Sequence, residues 1–344
     1  MIELDFSKPK EEVFQVLTSF FNEGWVVEIA DFIREWWNNE NFIIAETSGS
    51  TGVPKKVELE KAKVINSALA TGEFFDFKEG ENALLCMSPK FIAGKLMVVR
   101  AIVWKLNLIC VEPNSTPLDS VPSNAFIDFA AMVPLQFQNS ISDLTAKRVK
   151  KLIVGGGAVD STLIEQLEKS DTEIYSSYGM TETITHVALK RLNGTNTDDS
   201  FRALKDVYFD VDDRSCLVIK ANKISNDIVV TNDIVKLKNN KEFSWIGRFD
   251  NVINSGGVKI FPEKIEEILS KEISSPFFIA SVKDEKLGER IVLVIEGDVE
   301  KVNLESIKLL LPKYHSPREV FYLDEFVRTD SGKINRMKTL AKLK

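Results

Sequence analysis

The chain has 344 residues, of which 44% are apolar, and a formal net charge of −7. This length allows two domains with a core each, and the absence of a run of Lys or Arg argues against a nucleic-acid partner. Its 3 scattered cysteines and 2 histidines argue against a disulfide framework and a multi-histidine metal centre.

The first elements along the chain are helical. The N-terminal MIELDFSKPK lacks the basic start and apolar run of a signal peptide. No stretch reaches the length of a membrane span, so we expect a cytoplasmic protein. Residues 11–37 carry apolar side chains at helical spacing and predict two amphipathic helices.

Short apolar runs then alternate with helical patterns. This rhythm is typical of βαβ units and predicts an α/β fold with a largely parallel sheet. The predicted strands are residues 83–88, 106–112, 125–133, 151–157 and 172–179.

From about Arg202 the pattern changes to alternation interrupted by turn residues, which predicts antiparallel strands. The segment after Asp250 has a helix starting near Pro262, a strand pair and a short helix, the composition of a small α+β domain. We therefore divide the chain into residues 1–249 and 250–344.

The loop in AETSGSTGVPKKVEL, residues 45–59, has the small residues and the lysine of an anion-binding nest. It is not a strand-to-helix P-loop, because the fifth residue after Gly49 is Pro54 and the fifth after Gly52 is Val57. The alternation after Lys55 predicts that the loop joins two strands. A solvated turn remains an alternative, and a serine amidase is disfavoured because no G-x-S-x-G elbow is present.

Two glycine-containing turns follow predicted strands. In KLIVGGGAV the glycines allow either close approach of a flat ring or a tight structural turn. In SSYGMTETITH, Tyr178 could stack on a base, the threonines could bind phosphate, and Glu182 is a lone carboxylate suited to Mg²⁺. The alternative for this segment is a capped helix start.

Two later segments offer groups for a sugar and for a developing charge. Asp233 in TNDIVKL and Arg248 in GRFDNVINSGGVKI could reach sugar hydroxyls, unless they belong to a plain turn and a surface loop. Lys333 lies in the terminal TDSGKINR, where a lysine is ordinarily solvated.

In this order, the five stretches resemble the core motifs of the adenylate-forming superfamily, which includes acyl-CoA synthetases. The resemblance covers residues 42–340 and implies a large N-terminal domain with a small mobile C-terminal domain, hinged near Asp250. It implies ATP and Mg²⁺ as cofactors and CoA as co-substrate.

The resemblance also implies roles for individual residues. Thr181 meets the α-phosphate, Glu182 holds Mg²⁺, and Lys333 acts on the forming acyl-phosphate bond. Tyr178 with Gly179 stacks on adenine, and Asp233 with Arg248 binds ribose. The remaining implied positions are the β- and γ-phosphate loop (Thr47, Ser48, Gly49, Ser50, Thr51, Gly52, Lys55), the adenine-side turn (Gly155, Gly156, Gly157) and the pantetheine path (Gly256, Gly257, Lys259).

The chain departs from the superfamily pattern in a few places. Its phosphate loop begins only after residue 46, so we expect a trimmed N-terminal domain. Asn232 and Val327 stand where Gly and Pro are usual, and PKFIAGKLM lacks the histidine of the acyl-site motif. None of these removes a named catalytic group.

Within the superfamily the chain most resembles short o-succinylbenzoate-CoA ligases of menaquinone synthesis, through PKFIAGKLMVVRAI, GGGAVD and YGMTETITHVALK. An aromatic dicarboxylate needs apolar walls and a cation or donor for the carboxylate that does not react. Gly94, Lys95 and His186 are the candidates for this acid site, and a snorkelling lysine and a satisfied core histidine are the alternatives.

The resemblance implies a two-step acid-CoA ligase. A carboxylate attacks the α-phosphate of ATP to give acyl-AMP and pyrophosphate, and a CoA thiol then displaces AMP. Loading of a carrier-protein thiol and a non-catalytic nucleotide-binding module are the alternatives, and the partners are small molecules.

Overall fold

The two helices predicted for residues 11–37 are present, as Lys10–Thr18 and Gly24–Trp37. The computed structural model of the protein describes residues 1–47, 55–146, 148–157, 159, 161–195, 197–297, 302–328 and 334–343. The helices in these residues are α1 Lys10–Thr18, α2 Gly24–Trp37, α3 Lys61–Phe75, α4 Ile92–Trp104, α5 Pro134–Asn139, α6 Ile141–Thr145, α7 Ser161–Gln166, α8 Pro262–Leu269, α9 Leu304–Leu310 and α10 Arg336–Leu340.

The strands follow the predicted change from parallel to antiparallel pairing. They are β1 Ile2–Asp5, β2 Phe42–Thr47, β3 Lys55–Glu60, β4 Asn82–Leu85, β5 Asn107–Cys110, β6 Ile127–Met132, β7 Val149–Val154, β8 Glu173–Gly179, β9 His186–Arg191, β10 Phe201–Ala203, β11 Tyr208–Val211, β12 Cys216–Lys220, β13 Val229–Asn239, β14 Glu242–Arg248, β15 Ile253–Ser255, β16 Val258–Ile260, β17 Phe277–Asp284, β18 Gly288–Glu296 and β19 Glu319–Leu323.

One 12-stranded sheet has the order β1-β5-β4-β6-β7-β8-β9-β10-β14-β13-β12-β11. The pairs from β5 to β8 are parallel, and those from β8 through β14 to β11 are antiparallel. The predicted α/β fold with added antiparallel strands is therefore confirmed. The pattern of residues 2–5 did not predict β1, a short edge strand antiparallel to β5.

The parallel strands are buried on both faces, as their continuous apolar runs require. Because successive side chains of a strand alternate, Ala83 and Leu85 of β4 belong to one core and Leu84 to the other. The first core contains side chains of α1 to α4, and the second contains side chains of α5, α6 and α7.

Strands β2 and β3 form a separate antiparallel hairpin in which Thr47 pairs with Lys55. The prediction that the Gly/Ser-rich loop joins two strands is thus confirmed. Residues 48–54, the loop itself, lie outside the described residues.

The C-terminal segment contains a sheet of order β16-β15-β18-β17, with β19 parallel to β18. Its core is separate and includes Ile253, Ile260 and Leu293. Helix α8 lies against the end of β14, where a β-carbon on Gly247 would be 2.6 Å from Glu263. The boundary between residues 249 and 250 stays a prediction. In the part of the chain that the structure describes, no helix is long and apolar enough to cross a membrane.

Candidate active site

A cavity of about 280 Å³ opens where the parallel strands β6, β7 and β8 end. Ligands of open α/β sheets bind at the carboxyl ends of the strands, because the loops there diverge. The walls come from α4, from the turn after β7 and from the segment after β8. The lining includes Ile92, Ala93, Arg100, Gly155, Gly156, Gly179, Thr181, Ile184 and His186.

The charged wall of this cavity is Arg100, on α4. Its side chain is buried, with 3% of the residue exposed, and burial lowers the pKa of the guanidinium to about 10. Among the described residues, its guanidinium makes one hydrogen-bond contact, from Nη1 to the Met97 sulfur at 3.5 Å, and its Nε has no hydrogen-bond partner. No carboxylate of the described residues lies within 4 Å of it. A buried cation without a counter-ion is costly, so Arg100 is prepared for an anion in the cavity.

His186 lies beside Arg100, at the start of β9. Its Nε2 is 3.2 Å from the Thr71 hydroxyl and its Nδ1 is 3.4 Å from the Thr185 hydroxyl. Burial, and secondly the charge of Arg100, holds the imidazole pKa well below its usual value. His186 is therefore a neutral wall of the cavity, consistent with the predicted acid site.

The structure corrects the position of Lys95. Its ammonium lies 2.9 Å from Glu35 and 4.4 Å from the centre of the Phe32 ring, on the far side of α4 from the cavity. The step of five positions from Lys95 to Arg100 corresponds to a rotation of about 140° around the helix, which explains why Arg100 faces the cavity and Lys95 does not. Arg100 thus has the environment that the sequence analysis expected of Lys95.

Gly94, the other candidate on α4, has a packing role. A β-carbon there would be 2.3 Å from the Ser88 carbonyl oxygen, which is backbone and cannot move aside. This close approach sets the first turn of α4 against the preceding loop and so fixes the cavity wall.

The glycine turn after β7 and the segment after β8 form the opposite walls. Gly156 has φ of 86°, in the region that favours glycine, while a β-carbon on Gly157 would contact Pro134 at 3.3 Å. Gly179 allows β8 to approach Thr185, whose oxygen would be 2.2 Å from a β-carbon. Ile184 has φ of 64°, a strained value for a β-branched residue. Such strain is common at binding sites.

Thr181 and Glu182 lie on a short turn between β8 and β9. Thr181 lines the cavity, and Glu182 is exposed with no hydrogen bond or ion pair to any residue that the structure describes. No group of three or more potential metal ligands occurs in those residues either. A lone free carboxylate suits an ion that brings its other ligands with it, as Mg²⁺ does when bound to phosphates.

Three residues predicted for the nucleotide are brought together across the sheet. The Tyr178 hydroxyl donates to Oδ2 of Asp233 at 2.7 Å, and Arg248 pairs with Asp233 across β13 and β14, with Nη1 3.4 Å from Oδ1. Trp245, which the sequence analysis did not select, donates from Nε1 to the same oxygen at 3.3 Å. Asp233 is 6% exposed, so these donors hold its charge in place.

Tyr178, Asp233 and Arg248 do not line the cavity, and neither do the predicted positions of the C-terminal segment. Gly256 and Gly257 form the turn between β15 and β16 with φ of 57° and 83°, and Lys259 follows on β16. Gly256 borders a second cavity of about 740 Å³ in the C-terminal segment. Ser48, Gly49, Ser50, Thr51, Gly52 and Lys333 lie outside the described residues.

Comparison with known proteins agrees with this geometry. The AMP-binding enzyme family matches residues 10–206, more than half of the chain. The 2-succinylbenzoate–CoA ligase of Escherichia coli is 26% identical over an alignment of 343 positions, gaps included, that covers 95% of this chain and 74% of that protein. The corresponding ligase of Lactococcus lactis is 24% identical over an alignment of 314 positions, gaps included, that covers 86% of this chain and 69% of that protein.

Two solved structures extend the comparison. An acyl-CoA synthetase (AMP-forming)/AMP-acid ligase II-like protein from Dyadobacter fermentans is 34% identical, with a TM-score of 0.64 over 96% of this chain and 98% of that one. The o-succinylbenzoate-CoA synthetase of Bacillus subtilis, solved with its acyl-adenylate intermediate, shares the fold with a TM-score of 0.74 at 18% identity over 86% and 68%. By its family match and by these relatives, the chain belongs to the AMP-binding enzyme family.

Proposed function

We propose that this protein is an AMP-forming acid-CoA ligase that acts on 2-succinylbenzoate, also called o-succinylbenzoate. It converts the acid, ATP and CoA into acyl-CoA, AMP and pyrophosphate through an acyl-adenylate. The names of its curated relatives support this substrate. We place the reaction in the cytoplasm, where ATP and CoA are available.

The observation that carries the proposal is Arg100. An apolar cavity with one buried, unpaired guanidinium fits an aromatic acid that has a second carboxylate. That carboxylate pairs with Arg100, while the apolar walls contact the ring and the neutral His186 adds no charge. The reacting carboxylate then points to Thr181, on the turn where the α-phosphate is expected.

In the first step, a carboxylate oxygen of the acid attacks the α-phosphorus of ATP and the bond to pyrophosphate breaks. Asp233 and Arg248 bind the ribose hydroxyls and Tyr178 the adenine, so that the α-phosphate is aligned with the acid. Lys333 stabilises the charge that develops during transfer. The free carboxylate of Glu182 would hold Mg²⁺, which neutralises charge on the triphosphate.

In the second step, the CoA thiolate attacks the acyl carbonyl, a C–S bond forms, and AMP leaves with the electrons of the broken C–O bond. The Gly256–Gly257 turn and Lys259 border the pantetheine path once the C-terminal segment reorients. No side-chain nucleophile is required, because the chain contributes position and charge.

Pyrophosphate release from ATP and Mg²⁺, measured over a panel of aromatic and aliphatic acids with and without CoA, tests the proposal. We expect release with 2-succinylbenzoate and thioester formation only when CoA is added. Release with no acid would overturn the proposal, and thioester formation on a carrier-protein thiol but not on CoA would overturn the acceptor.

The variant R100M tests the substrate assignment separately. Loss of one member of a buried charge pair should raise the KM for 2-succinylbenzoate roughly 100-fold or more, with the KM for ATP unchanged. The two analogues that each lack one carboxylate are the controls. The analogue that lacks the carboxylate assigned to Arg100 should have the same high KM with wild type and with R100M. If R100M raised the KM for this analogue as well, the assignment would be contradicted.

A further inference from the structure

One carboxylate of α2 joins two parts of the proposed active site. Oε1 of Glu35 accepts the backbone N–H of Ile44 on β2 at 2.7 Å, and Oε2 accepts the Lys95 ammonium of α4 at 2.9 Å. The two oxygens therefore bridge β2 and α4, which share no main-chain hydrogen bond among the described residues.

The bridged elements lead to different substrates. Strand β2 runs directly into the loop of residues 48–54, the proposed phosphate loop. Helix α4 presents Arg100 to the acid cavity from the face opposite Lys95. A displacement of either element would have to stretch its bond to Glu35.

The bridge is well insulated from water on the lysine side. The Lys95 side chain is 9% exposed and lies over the Phe32 ring, whereas the Glu35 side chain is 27% exposed. Separation of a pair in which one ion is buried leaves an uncompensated charge, which costs more than an exposed pair would. The two elements are therefore held together by a bond that resists opening.

We infer that Glu35 is a positioning residue that couples acid binding to nucleotide binding by holding the phosphate hairpin and the acid-binding helix in one arrangement. This inference rests on the proposed function, because it assumes that α4 binds the acid and the β2–β3 loop binds the phosphates. Occupation of one site favours the bridged arrangement and so improves binding at the other. By linkage, the acid must tighten nucleotide binding by the same factor by which the nucleotide tightens acid binding.

A second glutamate on α2 provides a matched control. Glu28 lies about two turns before Glu35, on the same face of the helix. It accepts from the Ser88 hydroxyl at 2.6 Å and pairs with Lys90 at 2.8 Å, both in the loop before α4. Glu28 thus supports α4 in a similar way but makes no hydrogen bond or ion pair with the described residues of the hairpin.

The coupling can be measured by titration calorimetry of the full-length protein with α,β-methylene-ATP and Mg²⁺, with and without saturating 2-succinylbenzoate. In wild type we expect the acid to tighten analogue binding roughly fivefold or more. In E35Q the amide still accepts from Ile44 but presents an N–H group to Lys95, so the factor should fall below about twofold. K95M should behave like E35Q, K95R should retain the wild-type factor, and E28Q should retain it as well.

Each ligand titrated alone should bind E35Q within about threefold of wild type, which separates lost coupling from lost folding. A wild-type factor in E35Q, or an equal loss in E28Q, would overturn the inference and leave the proposed function intact. A wild-type protein that binds the analogue with no dependence on the acid, while it still releases pyrophosphate with that acid, would also overturn only the inference. Absence of acid binding and of pyrophosphate release would overturn both.

Discussion

The Tyr178 hydroxyl donates a 2.7 Å hydrogen bond to the Asp233 carboxylate, linking β8 to β13 across the strands that separate them in the sheet. Burial raises the pKa of this hydroxyl, and the adjacent Asp233 charge raises it further, so the phenol stays protonated and remains a donor. The tyrosine proposed for adenine therefore also orients the carboxylate proposed for ribose.

Y178F should weaken ATP binding through Asp233. The ring and its packing on Phe243 remain, but Asp233 loses its shortest side-chain hydrogen bond. A bond to a charged group contributes about 1.5–3 kcal/mol, so we expect the KM for ATP to rise roughly tenfold or more. Steady-state pyrophosphate release against ATP concentration measures this.

Y175F is the control for this change. Tyr175 lies on the same strand, and its hydroxyl contacts Glu173 and Arg191 instead of Asp233. We expect Y175F to leave the KM for ATP within about twofold of wild type. Equal effects of the two substitutions would show that general loosening of β8, and not the Asp233 bond, is responsible.

The buried charge of Arg100 should lower the free energy of unfolding, although it favours binding of the acid. A fall in the guanidinium pKa from its ordinary value to about 10 means that burial disfavours the charged form, which is the form present at pH 7. This corresponds to roughly 3 kcal/mol of destabilisation. R100M should therefore raise the free energy of unfolding by about 2–3 kcal/mol in urea at pH 7.5, while it impairs the reaction.

Ligand binding provides the complementary check on Arg100. The acid should raise the Tm of wild type because its carboxylate compensates the buried charge, and it should have little effect on R100M. A destabilised R100M would mean that the guanidinium is solvated or paired in the native protein.

Sequence pattern predicted the strands but not which face of α4 borders the cavity. This helix is apolar nearly all round, with Leu96 to Val99 buried, so its periodicity does not define a face. Both Lys95 and Arg100 break the apolar run, and only the packing of α4 against α2 distinguishes them. The single arginine in this apolar helix was the feature of the sequence that could have indicated the residue facing the cavity.

Contacts between segments that are distant in the chain could not be predicted from sequence pattern either. Tyr178 and Asp233 were selected separately, and their bond joins residues 55 positions apart. Glu35 was part of a predicted amphipathic helix, but its bridge depends on where β2 and α4 dock. Local pattern specifies elements and turns, whereas such pairings are set by the tertiary arrangement.

His186 should make stability depend on pH. Its pKa in the native protein is well below 6.5, so between that value and 6.5 the unfolded chain binds a proton that the native protein does not. Stability is therefore lost as the pH falls below 6.5. From pH 7.5 to 5.5 this group should remove about 1.4 kcal/mol.

H186N is the comparison, because asparagine can still bond to Thr71 but does not titrate in this range. Urea unfolding of both proteins at the two pH values gives the difference. The loss between pH 7.5 and 5.5 should be smaller in H186N by about 1.4 kcal/mol. Parallel pH profiles would mean that His186 titrates normally in the folded state.

G94A should displace the start of α4. The new β-carbon would meet backbone atoms of Ser88 at 2.3 and 2.6 Å, so the helix must shift. We expect a loss of about 1–3 kcal/mol in the free energy of unfolding and a raised KM for the acid. G24A is the control: its β-carbon has no neighbour within 4 Å, and the change should be neutral or stabilising by up to about 1 kcal/mol. Similar results for the two alanines would contradict the packing role of Gly94.

The pair Glu266–Arg336 should give the C-terminal segment a pH-dependent stability. Arg336 Nη2 is 2.7 Å from Oε2 of Glu266, whose Oε1 accepts the Ile279 N–H at 2.8 Å. Burial raises the pKa of Glu266 despite this partner. A raised carboxyl pKa means that the native state favours the protonated form. Glu266 therefore lowers the free energy of unfolding as the pH rises from 4.5 through the raised pKa. R336M should enlarge this cost, with a loss of about 3 kcal/mol at pH 8 and a smaller loss at pH 5, because a larger fraction of Glu266 is protonated at the lower pH.

The double variant E266Q/R336M separates charge from packing. With no buried charge left, it should recover most of the stability lost in R336M at pH 8 and show a flatter pH profile. Thermal unfolding of wild type, E266Q, R336M and E266Q/R336M at pH 5 and pH 8 provides the measurement. Because Arg336 begins α10, three residues after Lys333, R336M should also lower kcat for pyrophosphate release by displacing the segment that bears this lysine. If the stability changes of E266Q and R336M simply added in the double variant, the loss in R336M would come from the lost contact of Arg336 with Phe278 rather than from the ion pair.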